Sequence, residues 1–440
     1  MQTTSHAPLE KLNIFSAKGV QMRTFHITWL TFFVCFMAWF AIAPLMPLVS
    51  EQLHLTKAQK GNLGIAAVSA TIIARLLIGR LTDLYGPRKV YTWLLIICAF
   101  PVMLIGLSNS YITFLLFRLG ISVIGASFVL TQYHTSVMFA SNIKGTANAV
   151  AGGWGNTGGG ATQIIMPLVA AGLVGLGFVD KADSWRYAMI LPGVLLLVMA
   201  WVYWKYTKDT PAGNLDELPM QTNSKKENTF LLAAKDYRTW ILTIAYACCF
   251  GVEITVDNFA ATYFHDDYKA TLIVAGLLAS IFGWINIFAR ALGGILSDKI
   301  GLRYGFNGKV NLLTILLLLE GVGIILFAKS GNLPMAILMM FFFGLCLKMA
   351  NGATYSIVPF VNPKAVGSVA GIVGAGGNVG AMMIGFLFKA YPYATAFYYL
   401  GIAVLGVGGI VLAVKLLIKK NTANTIVYAN DDSIAEATAA

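Results

Sequence analysis

Charge is what this 440-residue chain has least of: Asp, Glu, Lys and Arg make up 11% of it, against about a quarter of a soluble domain. With 58% hydrophobic residues, the composition excludes an ordinary soluble fold and calls for an integral membrane protein. Acids are scarcer than bases, 19 against 31, for a formal charge of +12. Cysteine is scarce too. Cys35, Cys98, Cys248, Cys249 and Cys346 all fall in apolar runs with neither zinc nor redox spacing, so no disulfide or metal framework is expected. There is no Gly-x-x-x-x-Gly-Lys-Ser/Thr loop, which leaves ATP-driven pumping by this chain unsupported. No nucleophile-base cluster stands out either, so neither an enzyme nor a cofactor is expected. The stretch from Met1 to Val20 is polar, with no apolar core before Thr24, and a cleaved signal peptide is not expected.

Apolar length is what the chain does have. Runs long enough to cross a bilayer can be drawn at Ile27–Val49, Gly61–Leu84, Val90–Leu107, Tyr111–Ala140, Gly145–Val179, Tyr187–Tyr206, Trp240–Phe264, Leu272–Ser297, Val310–Phe327, Leu333–Phe360, Ala365–Ala390 and Ala394–Leu417. They predict an all-α membrane protein with twelve transmembrane helices and both termini on one side. Lys and Arg outside the spans divide 20 to 7 between the two sides. The richer side holds both termini and is expected to be cytoplasmic; that asymmetry, tied to a membrane, argues against nucleic acid as the reason for the basic charge. The chain divides into a cytoplasmic N-terminal segment (1–23), a six-helix bundle (24–207), a cytoplasmic linker (208–238), a second six-helix bundle (239–418) and a polar tail (419–440) expected to be disordered. Pro44 and Pro47 predict a bend at the end of the first span.

The bundles are two copies of one half. Arg75, Gly79, Asp83 and Gly86 recur as Arg290, Gly294, Asp298 and Gly301, each displaced by 215 positions. Arg75 precedes Asp83 by eight residues, which sets it about 12 Å inside a hydrocarbon core about 30 Å thick if Asp83 marks the boundary. A charge at that depth costs about 2.5–3.5 kcal/mol on insertion scales, so two arginines at equivalent depths ask for a shared anion. Gly152-Gly153-Trp154-Gly155-Asn156-Thr157-Gly158-Gly159-Gly160 and Gly374-Ala375-Gly376-Gly377-Asn378-Val379-Gly380 form a second pair, displaced by 222. Gly155, Gly158, Gly377 and Gly380 allow close helix approach for packing or gating. Packing alone does not explain an asparagine at the same place in both copies.

Together these residues resemble the nitrate/nitrite porters of the major facilitator superfamily. Gly-Arg-Leu-Thr-Asp-Leu-Tyr-Gly-Pro-Arg-Lys at 79–89 resembles the superfamily's signature between its second and third helices, and the two glycine-asparagine stretches resemble the family's paired nitrate signatures. The resemblance covers all twelve spans and implies two six-helix bundles related by a pseudo-twofold along the membrane normal, with substrate between them. It implies that Arg75 and Arg290 clamp nitrate, Asn156 and Asn378 supply amides beside it, and Phe128, Tyr246 and Phe250 sandwich it.

Positions 246, 250, 253 and 257 share one helix face, which adds Glu253 and Asp257 to the aromatic pair. Phe250-Gly251-Val252-Glu253 is similar to the proton-coupled branch of the family and makes Glu253 the proton-coupling candidate. Lys348, in the tenth span, is a departure from the family, with Glu253 or Asp257 as partner. Arg118, His134 and Glu320 read as structural. The expected function is nitrate uptake in a cell membrane by alternating access, with nitrite as a second substrate, protons as coupling ion, no nucleic acid or cofactor, and a monomer as the working unit. Nitrate/nitrite antiport, carriage of another small anion and a non-transporting sensor are the alternatives.

Overall fold

The computed structural model describes residues 7–140, 143–217, 229–362 and 365–421. Most of the polar tail and the middle of the linker lie outside those residues. Eleven helical stretches are long and apolar enough to cross a membrane, and one of them, Leu272–Ala328, runs for 57 residues. At about 1.5 Å per residue that stretch is nearly three hydrocarbon cores long. It is broken at Gly305, whose φ of 65° and ψ of −164° are open to glycine and strained for other residues. It therefore counts as the eighth and ninth spans, and the total is twelve.

The first span runs Gly19–Phe40 and then tightens into a 3-10 turn, Ala43–Leu45, before a short helix Met46–Gln52. Pro44 and Pro47 enforce this break, because neither offers an N–H to the preceding turn. The freed carbonyl of Trp39 is taken by Arg118 Nη1 at 2.7 Å. Arg118 thus works as a structural donor, and its Nη2 reaches Asn258 of the other half at 2.5 Å. At the loop after the second span, Gly86 adopts φ 82°. An added Cβ there would meet the Asp209 carboxylate at 2.5 Å. That carboxylate accepts from Arg88 N (2.9 Å) and Leu215 N (3.2 Å), tying the signature loop to the start of the linker. Burial pushes the Asp209 carboxyl above its ordinary range, partly offset by those two amides.

Helix packing repeats between the halves. The fifth span (Lys144–Gly175) packs on the first, with Gly155 against Phe32 and Gly158 against the Phe33 carbonyl. The eleventh (Ser368–Ala390) packs on the seventh (Tyr237–Asp266), where a Cβ on Gly377 would meet Phe250 Cδ1 at 2.7 Å and Gly380 lies on the Ala247 carbonyl. All four glycines singled out in the sequence therefore pack inside their own half. The close approaches between halves belong to other glycines. A Cβ on Gly160 would lie 2.9 Å from Gly283 Cα in the eighth span, and one on Gly385 would lie 2.7 Å from Ile65 Cγ1 in the second.

Polar links across the halves run from the level of the arginines toward the end away from the first helix's start. They include Arg75 to the Gly374 carbonyl, Gln163 Nε2 to the Asp257 carbonyl (2.8 Å), Arg118 to Asn258, and Lys60 Nζ to Asp266 Oδ2 (3.3 Å). Direct polar contacts thus join the halves from the arginines to the end where the second span begins. A Lys60→Cys, Asp266→Cys pair is expected to be joined efficiently by a short thiol cross-linker, and adding Gly160→Leu should cut the yield several-fold by wedging the fifth and eighth spans apart. Equal yields with and without the leucine would contradict this interface.

Candidate substrate-binding site

The second span (Lys57–Gly79 of a helix reaching Tyr85) starts at a capping box. Thr56 N donates to Gln59 Oε1 at 2.8 Å and Gln59 N to Thr56 Oγ1 at 3.3 Å. That start fixes the register and sets Arg75 about five turns in. Its counterpart Arg290 follows a 3-10 turn, Ile285–Ile287, that interrupts the eighth span. Both guanidiniums are buried, at 7% and 6% exposure. An unpaired charge there would be costly.

The two arginines reach across to the opposite half's glycine-rich helix. Arg75 Nη1 donates to the Gly374 carbonyl at 2.9 Å, and Asn378 Nδ2 donates to the same oxygen at 3.3 Å. Arg290 Nη1 lies 3.8 Å from where a Cβ on Gly152 would stand. In one amide orientation Asn156 donates to Glu253 Oε1 at 3.3 Å; in the other its oxygen accepts from Arg290 Nη1 and Nη2 at 3.1 and 3.3 Å. Gly152 and Gly374 are the same position of the repeat, as are Asn156 and Asn378. The duplicated arginine therefore faces the duplicated glycine-asparagine helix twice, which gives the repeated asparagine a physical reason.

The arginines differ in their acids. Arg290 Nη2 pairs with Glu253 Oε2 at 3.1 Å. Arg75 has no carboxylate partner among the described residues; beyond Gly374 it donates through Nε to the Gly125 carbonyl at 3.3 Å and stacks over Phe128 (5.2 Å) and Phe250 (5.8 Å). Its Nη2 and the Nε of Arg290 are buried without hydrogen-bond partners. Glu253, fully buried, is surrounded by protein hydrogen-bond donors. Besides Arg290 and Asn156 it accepts from Lys348 Nζ (2.8 Å), Asn286 Nδ2 (2.9 Å) and Asn351 Nδ2 (2.7 Å). Lys348 thus pairs with Glu253 rather than Asp257, with its ammonium 4.0 Å from the Phe282 ring centre.

Asp257, one turn farther along, is 4% exposed, and no hydrogen bond or ion pair reaches its carboxylate among the described residues. It sits against Gly159, where a Cβ would come within 3.3 Å of Oδ2. Against the three cations Arg75, Arg290 and Lys348 stand Glu253 and at most one further anion, so the centre keeps a surplus of positive charge. Such a cluster favours a small anion that brings both charge and acceptors.

Aromatic rings wall the centre. Tyr246 and Phe250 stack at 5.3 Å with planes 5° apart. Tyr355 stands edge-on to Tyr246 at 5.1 Å and to Phe128 at 6.4 Å, bridging the two sides. All of the sequence-selected polar and aromatic residues thus lie in one region, although Asn378 touches Arg75 only through a shared carbonyl. Tyr355, Asn351 and Asn286 escaped the sequence reading. The spacing of 348, 351 and 355, one helix face in the tenth span (Leu333–Ile357), was the signal that could have found the first two. His134 is a satisfied hydrogen-bonder between Tyr203 Oη (2.5 Å) and the Lys208 carbonyl (2.7 Å), away from the arginines. Glu320 is fully buried in the ninth span beside the Cys249 thiol.

Two repeated bundles meeting over a buried cationic centre define a membrane carrier. The family model of the Major Facilitator Superfamily matches residues 28–384, with a second match over 242–432. The chain is 36% identical over 406 residues to the high affinity nitrate transporter 2.5 of Arabidopsis thaliana, covering 92% of this chain and 80% of that one. It is 39% identical to nitrate transporter 2.2 of Chlamydomonas reinhardtii (82% and 71% covered), and 28% identical to the nitrate/nitrite transporter NrtP of Nostoc punctiforme (90% and 92%). Among solved structures, a bacterial homologue of the human lysosomal transporter Spinster, inward-facing and occupied, superposes with a TM-score of 0.68 at 17% identity over 92% of this chain and 98% of that one. The nucleoside transporter NupG gives 0.66 at 15% identity over 90% and 99%. The chain belongs to the Major Facilitator Superfamily and, within it, to the nitrate/nitrite porter family.

Removing one partner of a buried ion pair costs about 3–5 kcal/mol. Lys348→Met is expected to lower the melting temperature in detergent, and adding Glu253→Gln should recover part of the loss. A silent Lys348→Met would show that the pair does not hold the seventh and tenth spans together.

Proposed function

We propose that this protein carries nitrate, with nitrite as a second substrate, through a cell membrane by alternating access, and that protons are the coupling ion. The observation that carries this reading is Arg75: a buried guanidinium with no carboxylate partner among the described residues and an orphan Nη2, reaching into the half that carries Arg290. A planar oxyanion matches two guanidinium forks and brings the charge the centre lacks. The names of the Arabidopsis, Chlamydomonas and Nostoc relatives support the same substrate. With both termini cytoplasmic, as the loop charges suggest, the end where polar contacts join the halves faces outward. A single chain supplies both halves of the site, consistent with a working monomer.

Glu253 supports the coupling. It holds Arg290 when substrate is absent, and an arriving nitrate competes for that guanidinium and raises the cost of a second anion beside it. Proton uptake on Glu253 relieves that cost, so anion and proton enter together. Nitrate/nitrite exchange is the second reading, and Lys348 favours it: this ammonium stays on Glu253 Oε1 whatever happens at Arg290.

The experiment is uptake of labelled nitrate into proteoliposomes with and without an inward proton gradient. Gradient-driven accumulation that collapses in Glu253→Gln, while nitrate/nitrate exchange persists, supports symport at this residue. Accumulation retained by Glu253→Gln removes it from coupling. A parent protein that ignores the gradient and exchanges internal nitrite is an antiporter. Arg75→Lys and Arg290→Lys should each weaken nitrate binding about ten- to a hundredfold, the loss of one charge-assisted hydrogen bond worth about 1.5–3 kcal/mol. Near-normal binding in both variants would take the pair out of the site.

A further inference from the structure

We propose that Tyr355 is the third donor to the anion and the residue that sets the preference for nitrate over nitrite; this rests on the nitrate reading above. Its hydroxyl is buried and makes no well-formed hydrogen bond among the described residues, with the Tyr246 phenol beside it as a loose partner. A buried phenol normally finds a partner. The hydroxyl lies 3.0 Å from where a Cβ on Gly374 would point, and that same Cβ would lie 4.0 Å from Arg75 Nη1. The Tyr355 ring is held edge-on by Tyr246 and Phe128, on the two walls of the centre.

Three donors in this region therefore lack a well-formed hydrogen bond among the described residues: Arg75 Nη2, Arg290 Nε and Tyr355 Oη. Nitrate has three equivalent oxygens at the corners of a triangle. Nitrite has two, with a nitrogen lone pair, a poorer acceptor, at the third corner. The arginines alone serve both ions, because each offers its donors to any oxyanion. A third donor is fully used by nitrate and left poorly paired by nitrite, and an unpaired buried donor is the feature by which polar sites reject an analogue. Glycine at 374 keeps the space in front of the hydroxyl free for the third oxygen.

The test compares binding and uptake of nitrate and of nitrite by the parent and by Tyr355→Phe, which removes the hydroxyl and keeps the ring. The expected result is about a tenfold loss of nitrate affinity, nitrite affinity unchanged within about twofold, and an unchanged melting temperature without substrate. Equal losses for both ions, or no loss for either, overturn the assignment while leaving nitrate transport in place. A parent that binds neither ion overturns the nitrate reading and this proposal with it. Tyr355→Trp is a second variant, expected to weaken nitrate more than nitrite through lost hydroxyl and lost space; a parental preference in it would also count against Tyr355.

Discussion

The structure depends on a surplus of buried positive charge. Arg75, Arg290 and Lys348 lie where the two halves meet, and Glu253 is the carboxylate that answers them directly, through Lys348 and Arg290. In a medium without water such a cluster is tolerable only if each donor finds an acceptor or waits for one. The protein does both. Asn286, Asn351 and Asn156 complete the shell of Glu253, while Arg75 is left with two backbone carbonyls, two aromatic faces and an orphan nitrogen. The first arrangement stabilises the fold, and the second leaves a place for an anion.

Duplication gives this centre its geometry. Each arginine faces the glycine-rich helix of the other half, so Gly374 beside Arg75 and Gly152 beside Arg290 are the same position used twice. The symmetry stops at the acid: Glu253 serves Arg290 and has no counterpart at Arg75. An asymmetric centre of this kind lets one guanidinium be held by the protein and the other by substrate. Gly160 and Gly283 let the halves touch closely, while Gly155 and Gly377 bind helices inside each half. Motion between rigid halves therefore concerns the first pair more than the second.

Much of this was legible in the sequence. Twelve spans follow from apolar length, and the single 57-residue stretch was already divided by its polar middle, where the structure has the Gly305 break. The repeat offsets align the halves and with them the two arginines. Other features were hidden for physical reasons. Which acid Lys348 meets depends on helix rotation across 95 residues of separation, which no periodicity encodes. Tyr355 looks like one more aromatic at helical spacing until its hydroxyl is seen buried without a well-formed hydrogen bond among the described residues. The glycines across the halves, Gly160 and Gly283, are indistinguishable by composition from those packing within a half.

The central claim is that the paired arginines hold nitrate between the halves. A ligand that binds only the folded protein raises its stability by RT ln(1 + [L]/Kd), so melting of the purified protein against rising nitrate at constant ionic strength reads the site without transport. The account predicts a melting temperature that climbs with the logarithm of nitrate concentration, not with chloride, and no climb in Arg75→Leu. An equal climb in Arg75→Leu, or none in the parent, would contradict it.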